Sequence, residues 1–465
     1  MRSKTILITV AATLAAQFAT AQSQSWEKLI VPGLSYRMEV DFALPRVIHA
    51  FRYVPGSGKV FSAPELAGSQ VFVPDNDTKG REPLTRTMES VGALAGVNAD
   101  FFPWTGDPIG MMVRKGELIS LPYQKRSSFS WGAGYFACGP VETTLALQLN
   151  NSLKTIDLLN AEVGDNQLGL FTPVAASARS SVDGIYAVLS TEDILKPSGV
   201  VQTKVELITP DLKSAAVKPG QMVLVGTGNQ KGAVSSLSVG QSLSIRTVSQ
   251  GADFTKALHT IGGGPRLISG GKPAMDLAAE GIQPSFSTTM HPRTAIGSTK
   301  DGDIWFVVVE GRQAMSRGAT LDELTAIMQG LGCVEAMNLD GGGSSTLALG
   351  GLVVNRPSDK GIERAICNSL LLFGELPEPA PDTAYVIKGA PKVSEGTSAS
   401  FAVIDSKGER VSLSKVIWAA QGSGWIDQSG TLRTLGVGKA TVSAWIGGRV
   451  VSVDIEVTPN DPGGK

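Results

Sequence analysis

Ile304-Trp305-Phe306-Val307-Val308-Val309 is a run of six apolar residues, and Thr320-Leu321-Asp322-Glu323 downstream of it opens a different pattern. The first run follows an Asp301-Gly302 turn, is rich in β-branched side chains and reads as a buried strand. The second is a capping box: a threonine with a glutamate three residues on, each able to accept from the other's backbone N–H. Leu321, Leu324, Met328 and Leu331 then share one helical face, and Gly332 supplies the stop. Val334 to Leu339 is a second apolar run, which completes a strand–helix–strand unit. Such a crossover makes its two strands parallel, so their carboxyl ends share one edge of a sheet. The first ends in Glu310-Gly311-Arg312 and the second in Asp340-Gly341-Gly342-Gly343, which puts two carboxylates at one crevice. Ligands of open sheets sit in such a crevice.

Outside this unit the chain is mostly β-like, with Gly- and Pro-rich turns. Glu375 to Asp382 carries three prolines at alternate positions and reads as a stiff linker, residues 375–384, between independent cores. Beyond it, Ala399 to Ile404, Val416 to Ala419, Ala440 to Ile446 and Val450 to Val457 are short β-type runs, which predict a small sandwich over 385–465. At the other end, Arg2 and Lys4 precede an apolar run from Ile6 to Ala16, and Ala19-Thr20-Ala21 suits signal peptidase. Residues 1–21 are therefore expected to be a cleaved leader. No later stretch reaches the roughly 20 apolar residues of a membrane helix, so the mature protein is expected to be secreted or periplasmic with no transmembrane segment.

The 41 basic and 42 acidic side chains nearly cancel, and no Lys/Arg block runs along the chain, which argues against nucleic acid as a partner. Three cysteines, Cys138, Cys333 and Cys367, leave at least one thiol unpaired. Cys333 and Cys367 each lead into a strand-like run, so a bridge between them stays open beside the favoured reading of three buried thiols. That His49, His259 and His291 are the only histidines argues against a multi-histidine zinc site. Acidic groups could still hold a hard divalent cation, and no other cofactor is indicated. Neither a Gly-x-Ser-x-Gly elbow nor a P-loop occurs.

Three segments carry the candidate chemistry. The glycines after Asp340 leave backbone N–H groups free to converge on an anion, with Asp340 and Ser344 framing them. Arg293 and Thr294 stand at the start of a strand, where a guanidinium could clamp a phosphodiester through two hydrogen bonds. Asn98 and Asp100 alternate with Val97 and Phe101, so they face one side of a strand.

Five ordered motifs make residues 85–374 resemble the phosphodiester glycosidases. They are Asn98-Ala99-Asp100-Phe101-Phe102, Gly262-Gly263-Gly264-Pro265, Arg293-Thr294-Ala295-Ile296-Gly297, Asn338-Leu339-Asp340-Gly341-Gly342-Gly343-Ser344-Ser345 and Asn355-Arg356-Pro357. The resemblance implies an α+β domain over 22–374, with a mixed, strongly curved sheet and few helices. It also implies hydrolysis of the bond between a sugar's anomeric carbon and phosphate, on a sugar phosphodiester or glycan. Glu310 stands where the family pattern has Asp before Gly311-Arg312, and residues 140–240 match loosely enough to be an inserted β subdomain. The C-terminal segment resembles a bacterial immunoglobulin-like module through the Trp418 run, Gly430-Thr431-Leu432 and Gly438-Lys439-Ala440-Thr441-Val442.

On this reading Asp340 is the first choice for base or nucleophile, Glu310 the second, and Asp100 assists them. Substrate contacts fall to Asn98, Arg293, Thr294, Gly263, Gly264, Asn338, Gly341, Gly342, Gly343, Ser344 and Arg312. Phosphate is already a good leaving group, so one carboxylate could suffice. Two other classes remain open: a non-catalytic binder of cell-wall polymer, and a phosphodiesterase that cuts P–O instead of C–O.

Overall fold

The computed structural model describes residues 23–73, 77–149, 152–376 and 384–460. The leader expected at 1–21 and most of the proline-rich segment lie outside the described residues. The class is α+β, dominated by strands with few helices.

The strand–helix–strand unit is present, with the strand that starts at Arg293 inserted between its two strands. Thr320 Oγ1 accepts from the Glu323 N–H at 3.2 Å and Glu323 Oε2 from the Thr320 N–H at 3.0 Å, so the capping box starts the helix Leu321–Gly330. Gly332 ends it with φ +80, in the left-handed region. Ile304–Val309 and Cys333–Asn338 are parallel to one another, but Arg293–Thr299 lies between them and pairs antiparallel with both. One sheet edge therefore carries, in order, the end of the first strand, the start of the Arg293 strand and the end of the Asn338 strand.

Alternation along these strands sets up two cores. Trp305, Val307 and Val309 pack with Leu321, Leu324 and Met328 of the helix, while Phe306 and Val308 face the opposite way. That second face is covered by a five-stranded sheet that includes Phe61–Leu66, Ala95–Asn98, Leu347–Leu349 and Asn368–Phe373. A further eight-stranded sheet occupies residues 142–250. Its first strand, Glu142–Leu149, pairs antiparallel with its last, Ser242–Gln250, and one of its faces packs on Met111, Val113 and Leu118.

After the linker, small sheets close around Phe401, Trp418, Leu432 and Val442. This part has that core of its own, and it also contributes to the core of the rest of the chain. Ile417, Ala419, Trp425 and Trp445 belong to the same buried cluster as Tyr36, Met38 and Phe51. Lys28 is buried against it, donating from Nζ to the Val416 carbonyl and, at 2.9 Å, to the Gln428 carbonyl. Burial lowers the Lys28 pKa to about 7, with the Asp427 charge opposing. Arg356 Nη2 donates to the Gly422 carbonyl at 2.8 Å and Gln421 Nε2 to the Asn355 carbonyl at 2.9 Å, so the junction is polar as well as apolar.

Cys138, Cys333 and Cys367 are all free and buried, so the bridge left open between Cys333 and Cys367 is not formed. Among the described residues no helix is long and apolar enough to cross a membrane.

Candidate active site

Two strand ends from different sheets meet here. Ala95–Asn98 is buried throughout, and its last side chain reaches across the gap. Asn98 Nδ2 donates to the Asp340 carbonyl at 2.7 Å, and Asn98 Oδ1 accepts from Thr294 Oγ1 at 2.8 Å and from the Thr346 N–H at 3.1 Å. The Asp340 N–H donates to the Ala99 carbonyl at 2.9 Å, and the Asp100 N–H to Asn368 Oδ1 at 2.9 Å. Asp340 and Asp100 are thus set side by side on backbone that is tied at every step.

Both carboxyls hold their protons more tightly than usual. Burial raises Asp340 to about 6, opposed by the Ser344 hydroxyl, the Gly341 N–H and the Arg364 charge. Burial raises Asp100 further, to about 7. The Gly110 and Phe101 N–H groups and Arg126 pull it down, and the Asp340 charge pushes it up. Asp100 Oδ2 takes the Gly110 N–H at 2.6 Å and Oδ1 the Phe101 N–H at 2.8 Å. Only glycine lets the backbone come so close: a Cβ on Gly110 or Gly262 would lie 2.9 Å from Asp100 Oδ2. The Cys367 thiol lies within reach of both charges, and burial together with them pushes its pKa well up.

Cations surround the pair. Arg312 is exposed, sits at φ +59, and approaches His291 Nδ1 at 3.1 Å through Nη2. Burial and the Arg293 and Arg312 charges lower the His291 pKa. Arg364 is held by Asp359, with Nη2 at 2.7 Å from Oδ2, directly over Gly343, where a Cβ would come within 2.0 Å of Nη2. Arg126 lies over the Phe101 ring at 5.1 Å. Among the described residues no cluster of three or more His, Cys, Asp or Glu side chains could hold a metal ion.

Residues 199–373 match a family model described as phosphodiester glycosidase. That stretch is similar to a phosphodiester glycosidase domain. The SPbeta prophage-derived uncharacterized protein YomE of Bacillus subtilis (strain 168) is 43% identical over 82 residues, 18% of this chain and 13% of that protein. The mouse N-acetylglucosamine-1-phosphodiester alpha-N-acetylglucosaminidase is 38% identical over 74 residues, 16% of this chain and 14% of that enzyme. The matched stretches thus span about a seventh of these relatives. Two solved structures share the fold: a hypothetical protein from Synechocystis (TM-score 0.62, 23% identity, 74% of this chain and 62% of that one) and a protein from Burkholderia pseudomallei K96243 (TM-score 0.61, 17% identity, 76% and 96%).

Several residues expected at the substrate are engaged elsewhere. Glu310 is 1% exposed and does not join Asp340: Oε1 accepts from His49 Nε2 at 3.0 Å and from the Arg356 N–H at 2.6 Å. His49 Nδ1 in turn meets Tyr36 Oη at 2.8 Å. The strand alternation that puts Val309 toward the helix puts Glu310 into the opposite core. Arg293 is 1% exposed, with Nε on the Ala319 carbonyl at 3.0 Å and Nη2 on the Phe286 and Thr289 carbonyls at 2.7 and 2.8 Å. Burial and the Arg312 charge lower its pKa to about 10. Its fork organises the 286–289 turn instead of clamping a ligand.

The glycines are also more occupied than their freedom suggests. The Gly341 N–H donates to Asp340 Oδ1 and the Gly342 N–H to the Pro292 carbonyl, both at 2.9 Å. Gly263 and Gly264 donate to the Ser127 and Asn338 carbonyls at 3.1 and 2.8 Å, and Asn338 Nδ2 returns to the Gly264 carbonyl at 2.8 Å. Thr294 is held by Asn98 and by Ser345, whose Oγ lies 3.3 Å from its hydroxyl. These residues shape the site from behind. Asp340, half-buried, and Arg312, exposed, remain at the crevice, while Asp100 and Ser344 are buried behind them. Arg126 and Arg364 join them, and no local pattern marks either arginine in the sequence.

Proposed function

We propose that the protein is an exported hydrolase that releases a sugar from a sugar-1-phosphodiester by breaking the anomeric C–O bond. The observation that carries this reading is the pair of high-pKa carboxyls, Asp340 with Arg364 beside it and Asp100 with Arg126 beside it. An anionic phosphodiester is drawn by Arg312, Arg126 and Arg364, and charge that grows on the departing phosphate is stabilised by the same groups. Asp340, about half ionised near pH 6, takes the proton of a water that attacks the anomeric carbon. The C–O electron pair leaves with the phosphate, which becomes a monoester. Asp100, still largely protonated there, is buried behind Asp340, and its staying neutral keeps a second negative charge away from that base. The mouse relative's name points to N-acetylglucosamine as the sugar to try first. Export is supported by the basic and apolar leader pattern of residues 2–21, and the C-terminal sheets are read as an immunoglobulin-like module.

The test is incubation with methyl N-acetylglucosamine-1-phosphodiester in oxygen-18 water. Label in the released sugar supports C–O cleavage; label in the phosphate makes the protein a phosphodiesterase. Binding without turnover makes it a binding protein.

A further inference from the structure

Trp104 has no part in the fold that its size would call for. It is 82% exposed, a rare state for an indole in a folded domain. It lies on the segment that leaves Asp100, so no more than about 14 Å of chain separates it from that carboxyl. The segment is rigid. The Gly106 N–H donates to the Pro103 carbonyl at 3.0 Å, the Ile109 N–H donates to the Phe101 carbonyl at 3.1 Å, and Asp107 pairs with the buried Arg179 at 2.9 Å. Arg81 lies over the ring at 4.8 Å, with its own Nε fixed on the Thr78 carbonyl at 2.8 Å. One face of the indole is backed by a pinned cation and the other is turned to solvent. A side chain held this way loses little freedom on binding.

We propose that Trp104 is a stacking platform for a second pyranose ring of the substrate, beyond the sugar whose linkage is cut; this rests on the phosphodiester glycosidase reading above. The occupant follows from the chemistry of the ring. The negative π face suits the polarised C–H groups of a sugar, whose hydroxyls stay in water. A protein partner would want a contiguous apolar patch, and Phe101 and Phe102, the neighbours that could extend one, are partly buried against the molecule. The phosphate itself is served by the arginines nearer Asp340. The preferred substrate is therefore an oligosaccharide or polymer that carries the phosphodiester, not a lone sugar phosphodiester.

The test compares Trp104→Ala with the wild type on two probes: methyl N-acetylglucosamine-1-phosphodiester, and the same sugar phosphate esterified to maltotriose. The expected result is a roughly tenfold rise in KM for the maltotriose ester alone, restored by Trp104→Phe, with kcat on the methyl ester unchanged. An equal effect on both probes, or none on either, overturns the platform while leaving the glycosidase reading intact. If the wild type cleaves neither probe, the glycosidase reading fails. Quenching of indole fluorescence by the maltotriose ester then decides the platform: quenching lost in Trp104→Ala supports it, and equal quenching in both proteins overturns it.

Discussion

The side-chain amide of Asn98 donates to the main-chain carbonyl of Asp340 across 2.7 Å, joining the ends of two strands that belong to different sheets. Asp340 is thereby aimed by a residue that needs no contact with substrate. Asn98→Ala leaves that carbonyl and the Thr346 N–H without their partner, at a cost of about 1–3 kcal/mol for a buried polar group. Turnover should fall at least tenfold, and melting temperature should fall with it. Unchanged turnover in this variant would show that Asp340 is held adequately without the tie.

Asp340→Asn keeps the size of the side chain and removes the charge that a base requires. Turnover should fall about 100-fold or more, while melting temperature is kept or raised, because the raised pKa means that the ionised form opposes folding. Near-normal turnover in well-folded protein would remove Asp340 from the chemistry.

The two carboxyls predict an activity profile narrow in pH. The rate should rise as Asp340 ionises near 6 and fall as Asp100 loses its proton near 7. Stability follows with a definite sign. The folded protein keeps both protons past the ordinary value of 3.8, so stability is fullest below about pH 4 and is lost as pH rises through 6 and 7. Asp100→Asn should flatten the upper part of that decline and abolish the alkaline limb of the rate. A profile unaltered by Asp100→Asn would assign the limb to another group.

Glu310→Gln tests a role in holding the fold. Its carboxylate serves His49 and the Arg356 N–H inside the core, so the change should lower stability by about 1–3 kcal/mol and leave turnover of the folded enzyme within about twofold at low temperature. A large loss of turnover with unchanged melting temperature would return Glu310 to the site.

The crossover unit is legible in the sequence because its determinants are local: a capping box, a helical stripe and two apolar runs within 36 residues, 304–339. Asp340 and Asp100 are legible through motifs. What Glu310 does is not, because its partners His49 and, through Tyr36, Gln428 come from distant parts of the chain, and only the pairing of strands brings them together. Arg364 reaches Gly343 from an irregular segment without periodicity, and Arg126 likewise comes from a turn. The prolines describe only the connection: they say nothing of the packing across it, which depends on Trp425 and Trp445 meeting a sheet formed some 400 residues earlier.

Ending the chain at residue 376 should therefore not yield an active domain. It would bare Tyr36, Met38 and their neighbours. The expected outcome is insoluble protein, or a melting temperature lower by roughly 10 °C or more. Soluble truncated protein with full activity and an unchanged melting curve would refute the shared core.

Glu142 stands opposite Gln250 where the second eight-stranded sheet begins and ends, so the chain departs and returns through one doorway, its two posts about 5 Å apart. A segment attached in this way can be removed without stretching the rest, since a short hairpin would close the gap it leaves. Met111, Val113 and Leu118 are the threshold any replacement must fit. Asp340 and Asp100 lie outside the doorway, on strand ends that do not belong to this sheet.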